Sequence, residues 1–82
     1  MHEGATMTSL MRKIDALARS HDARRVTAVR VQLGALSHMS PQHFGEHFDE
    51  VSRGTLAEGA LVDARPSADL FDVFLVDVEL EK

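Results

Sequence analysis

Residues 25–34 read Arg25-Val26-Thr27-Ala28-Val29-Arg30-Val31-Gln32-Leu33-Gly34. Val29, Val31 and Leu33 alternate with Arg30 and Gln32, the period-two signature of a strand with one dry and one wet face. The stretch before it has a different period. From Thr6 to His21 the apolar residues are Met7, Leu10, Met11, Ile14, Leu17 and Ala18, which form one helical stripe. Thr6 is the expected N-cap, Asp15 and Arg19 an i,i+4 ion pair on the polar side, and Asp22 the residue that turns left-handed after the helix.

After the strand, Gly34-Ala35-Leu36-Ser37 is a break and Ser40-Pro41 opens a second helix, with Ser40 as N-cap and Pro41 at the first helical position. Its stripe is Phe44, Phe48 and Val51, and Gly54 marks its stop. Residues 54–59 read as a loop, Ala60 to Arg65 as a short strand and Pro66 to Asp69 as a turn. Phe71 to Glu81 reads as a long strand with Phe74, Val76, Val78 and Leu80 on one face and Leu75, Asp77, Glu79 and Glu81 on the other. The expected fold is α+β, in the order α-β-α-β-β, with two helices on one face of a three-stranded sheet. The short link between the last two strands predicts that they run antiparallel as a hairpin.

Composition narrows the function. The 82 residues form one small domain with a thin core. A net charge of −4 disfavours binding to nucleic acid, which needs a basic face. Tyr and Trp are absent, so little aromatic surface is available for stacking on bases. Cysteine is absent too, which excludes disulfides, thiolate zinc sites and a cysteine nucleophile. No apolar run is long enough to span a membrane and no secretory signal is evident, so the expected location is the cytoplasm. The five glycines fit no phosphate-binding loop, and no nucleophile–base pair stands out, so an enzyme is not expected.

The histidines carry the remaining chemistry. There are five: His2, His21, His38, His43 and His47. His43 and His47 are four apart and share a helical face, a spacing that can hold a divalent metal. The plainer reading is that His47 packs beside the apolar stripe while His43 is solvated. No Glu follows His43, so the zinc-hydrolase helix pattern fails. His21 and His38 read as solvated loop residues. His2 offers three nitrogens close together: the terminal amine, its own amide and its imidazole. Glu3 adds an amide and a carboxylate. Planar nitrogen-rich donor sets suit Ni(II) or Cu(II), and binding would release protons.

Met1-His2-Glu3, the amphipathic helix, the stretch Ala23 to Ser37, Ser40-Pro41, Phe44, Phe48, and Arg53-Gly54-Thr55-Leu56-Ala57-Glu58-Gly59-Ala60 together resemble the HypA family, nickel metallochaperones of [NiFe]-hydrogenase maturation. The final strand, Leu75 to Glu81, is similar as well. The resemblance implies a single nickel-binding domain over residues 1–82 that holds Ni(II) transiently at Met1, His2 and Glu3. It also implies a HypB-type nickel GTPase and a hydrogenase large subunit as partners. Two departures follow from the same likeness. The family's zinc domain, with its two CxxC pairs, is missing between about residues 65 and 72, so no structural zinc is expected. Ser40 stands where relatives often carry a carboxylate; His38 is the candidate replacement donor, and His43 and His47 are further candidate donors. The alternative reading is a metal-independent adaptor that binds a hydrogenase or maturation protein. Self-association through Val73 and Leu75 on the last strand is a further expectation.

Overall fold

A computed structural model describes residues 3–34, 39–68 and 73–82. Its elements are α1 (Glu3–Ser20), β1 (Arg25–Gly34), α2 (Pro41–Val51), β2 (Leu61–Ser67) and β3 (Val73–Glu81). The fold is α+β in the expected element order. α1 begins three residues ahead of Thr6, so Thr6 lies inside the helix instead of capping it. The turn before Thr6 contains no proline and opens on an acid, a residue type that the positive end of a helix favours. At the other end Asp22 is left-handed, with φ of 53°. The Ala23 N–H donates to the Ala18 carbonyl and the Asp22 N–H to the Arg19 carbonyl, closing the helix as a Schellman motif with Asp in place of Gly.

The sheet corrects the expected pairing. Strand order is β2-β1-β3, with β1 parallel to β2 and antiparallel to β3. The last two strands run in opposite directions, but they flank β1 and form no hairpin. The reason is visible in the register. Leu33 pairs with Pro66 on one side and Val73 on the other, so the end of β2 and the start of β3 lie level. The gap between them is two strand spacings, about 9.6 Å. A link over residues 68–72 reaches roughly 17 Å when extended, ample to cross it. Pro66, expected in a turn, sits within β2. An edge strand accepts proline because one side of its backbone needs no partner.

β3 is also phased differently from its sequence. Between Val26 and Ala28 the register slips by one, leaving Thr27 as an extra residue on β1. Between Arg30 and Val31 it slips back, leaving Val76 as an extra residue on β3. The Thr27 hydroxyl donates to the Glu79 carbonyl beside the first bulge, at 3.2 Å. The two bulges cancel. Between them they align four apolar pairs on the inner face: Val26 with Leu80, Val29 with Val78, Val31 with Leu75 and Leu33 with Val73. Those four β3 residues pack on the core, whereas Phe74 and Val76 are more than half exposed. Val73 and Leu75, expected as an outer surface for self-pairing, therefore belong to the interior. On the outer face Arg30 donates to Asp77 at 2.6 Å and Glu79 at 3.0 Å. These bonds, to Glu79 and then Asp77, hold its guanidinium above its ordinary pKa.

The core joins Met7, Leu10, Ile14 and Ala18 of α1, the four inner residues of β1, and Phe44 and Phe48 of α2. Ala57 and Ala60 complete it from the loop before β2, which is tied to the start of β1 by a bond from the Val26 N–H to the Leu56 carbonyl. No helix among the described residues is long and apolar enough to cross a membrane.

The bulged register makes a prediction opposite to simple alternation. Leu75→Ala should destabilise the fold by about 1–2 kcal/mol, less than a fully buried site because Leu75 is half-buried. Val76→Thr should change stability by less than about 0.5 kcal/mol. Urea unfolding of the two variants measures both; the reverse order would return Val76 to the inner face.

Candidate metal centre

α2 carries the histidine pair, and its placement starts from its cap. Ser40 is extended (φ −77°, ψ 158°) and its hydroxyl accepts from the His43 N–H at 3.1 Å. Pro41 follows at the first turn, as the sequence predicts. Phe44 and Phe48 are wholly buried, with ring centres 6.1 Å apart. They clamp one face of the helix to the core and fix its rotation. Val51, expected to continue that stripe, is instead 38% exposed. The helix ends there, with Ser52 as C-cap, one turn before Gly54 takes φ of 79°.

His43 and His47 each immediately precede a buried Phe, so they run along one flank of the clamped face. Their ring centres are 5.3 Å apart and their planes are tilted by 50°. His43 is exposed and His47 half-buried. The burial fits the packing expectation for His47, and the ring separation fits the shared-face expectation for the pair. Nearby, Glu46 accepts from the Gln42 amide at 3.4 Å. Among the described residues no group of three or more His, Asp or Glu comes together to hold a metal ion. His21 is an exposed residue in the turn after α1. Glu3 opens α1. Met1, His2 and His38 lie outside the described residues.

One feature escaped the sequence reading. A cleft of about 360 Å3 opens between α1 and the loop after α2, lined by Met11, Arg12, Asp15, Val51 and Leu56 among others. It explains why Val51 is not covered. An apolar periodicity cannot reveal where a cleft opens beside a helix.

Comparison with known proteins gives a consistent result. Residues 1–68 match a family profile described as "Hydrogenase/urease nickel incorporation, metallochaperone, hypA". Hydrogenase maturation factor HypA of Methylocella silvestris is 41% identical over 63 residues, which cover 77% of this chain and 56% of that protein. HypA of Archaeoglobus fulgidus is 35% identical over 63 residues, 77% of this chain and 57% of the other. The chain thus spans little more than half the length of these relatives. The solution structure of the Ni metallochaperone HypA from Helicobacter pylori superposes with a TM-score of 0.69 at 24% identity, covering 94% of this chain and 72% of that one. That likeness establishes the fold.

The cap bond can be tested directly. Ser40→Ala should lower stability by about 1 kcal/mol, because the His43 N–H loses its acceptor. Ser40→Asp should keep the cap and stay within a few tenths of a kcal/mol of the parent. Chemical unfolding of both variants checks this, and equal losses in both would sink the assignment.

Proposed function

The chain belongs to the HypA family, and from that premise we propose that it binds Ni(II) through its first three residues and passes the ion to a hydrogenase maturation partner. The observation that carries this reading is a family match that starts at residue 1 and so takes in Met1, His2 and Glu3. The donors are the Met1 amine, the His2 imidazole and amide, and the Glu3 amide or carboxylate. All are nitrogen or oxygen, and amide nitrogens that deprotonate offset the charge of the cation.

The start of α1 supports the same chemistry. The first four N–H groups of a helix have no acceptor within it. α1 opens at Glu3, so a metal that takes the amide nitrogens of residues 2 and 3 breaks no helical hydrogen bond. The positive end of the helix disfavours a bare cation. It favours a complex whose amides have lost their protons, which makes affinity fall with acid. Nickel here is cargo. The proposed activity makes and breaks coordination bonds only, so the protein is a carrier and no enzyme.

Transfer asks for few ligands and easy exchange, and three consecutive residues at a chain end meet that need. The proposed partners are a HypB-type GTPase and the large-subunit precursor of a [NiFe]-hydrogenase. The proposed domain organisation is one nickel-binding unit over residues 1–82, with no zinc module between β2 and β3 and, in a chain without cysteine, no thiolate to hold a structural zinc.

The test is Ni(II) titration by calorimetry of protein with an authentic Met1 terminus, beside His2→Ala and a version with a residue added ahead of Met1. One tight site lost in both altered proteins is the expected result. Tight binding that survives both would remove the amino-terminal site. Capture of a hydrogenase component that is unchanged in His2→Ala would favour the adaptor reading instead.

A further inference from the structure

We propose that His43 and His47 form a second metal site, separate from the amino-terminal donors, that takes a borderline divalent transition-metal ion such as Ni(II) or Zn(II) on the flank of α2. The argument is geometric. A metal–nitrogen bond of about 2.1 Å puts the centre of a ligating imidazole roughly 3.2 Å from the ion, and two such rings at about 90–110° stand roughly 4.5–5.2 Å apart. The ring centres of His43 and His47 are 5.3 Å apart. That is just beyond the upper end of this range, so the two rings stand close to the spacing of two ligands of one ion.

The backbone beneath the pair is fixed on three counts. Ser40 caps the helix, Pro41 sets its first turn, and Phe44 and Phe48 are buried completely beside the two histidines. Chelation by a preformed pair costs less ordering than chelation by two independent side chains. Imidazole is the donor shared by nickel, zinc and copper sites. No third His, Asp or Glu among the described residues completes the group. A two-imidazole site of this kind binds more weakly than a terminal chelate and exchanges readily. It leaves positions open for a donor from another molecule.

The site also spans Gly45, the one glycine of α2. Glycine within a helix is conformationally costly. An ion bridging residues 43 and 47 clips the turn that contains it, so metal should stabilise the folded chain, where the pair is preformed, over the unfolded chain.

The experiment is Ni(II) and Zn(II) titration of the full chain by calorimetry, with His43→Gln, His47→Gln and His2→Ala alongside. The expected isotherm has two classes of site. His43→Gln and His47→Gln should each weaken the lower-affinity class at least tenfold and leave the other alone, and His2→Ala should do the reverse. A positional control, Gly45→His combined with His47→Gln, keeps five histidines but sets the pair two residues apart on opposite sides of the helix. A Cβ at position 45 meets nothing within 4 Å, so the backbone there has room for a side chain to begin. The control should not restore the weaker class. Circular dichroism confirms that each variant is folded. The proposal is overturned if the isotherm is unchanged in both histidine variants, if only one of them matters, or if the positional control binds as the parent does. Loss of the amino-terminal class alone, in His2→Ala, leaves this site standing, so the two readings fail separately.

Discussion

Four apolar pairs between β1 and β3 are the constraint on which the rest of this structure depends. Val26, Val29, Val31 and Leu33 form the floor on which both helices rest, and each is matched across the ladder by an inward residue of β3. Residues 26 and 29 are three apart, as are 75 and 78. In regular strands each such pair would split between the two faces. Thr27 and Val76 absorb the mismatch, one on each strand. A single bulge would leave the strands out of step beyond it; two on opposite strands restore the register and strengthen the local twist. The small domain thereby brings enough apolar area to one side of β1 to hold α1 and α2.

This arrangement explains what the sequence revealed and what it hid. Each element was legible because its period is local: the α1 stripe, the Val29-Val31-Leu33 alternation, and Ser40-Pro41 ahead of Phe44. The faces of β3 were not. Strict alternation from Phe74 to Leu80 gives one tidy stripe, and only the partner strand determines where an extra residue enters. The neighbours of β1 were hidden for a similar reason, since a short link limits distance without dictating pairing. For the candidate site, the spacing of His43 and His47 was plain, but their ring separation depends on side-chain rotamers that a sequence does not reveal. The proposed amino-terminal donors rest on likeness to a family, because three consecutive residues have no periodicity to read.

The chemistry stands apart from this core. His43 is exposed and His47 half-buried, while the residues beside them are wholly buried. Glu3 opens α1 four residues before Met7, a residue of the core. A helix that anchors through one face leaves its flank and its ends free to vary in chemistry at little cost in stability. The proposed carriage of nickel would need that separation. An ion that must be given up cannot be part of what holds the fold together, or each transfer would cost stability that a domain of this size lacks.

The same geometry bears on length. The end of β2 and the start of β3 meet β1 at one level, at Leu33, on opposite sides. Whatever joins them has to bridge only about 9.6 Å. Among the described residues no inner pair of β1 and β3 lies beyond Leu33, so those pairs do not depend on the length of the bridge. Insertion is tolerated where ends lie close at the surface and few contacts cross. A chain spanning little more than half the length of its relatives can therefore keep every inner pair of β1 and β3. A short link and a long one at this junction therefore leave the same four pairs in place.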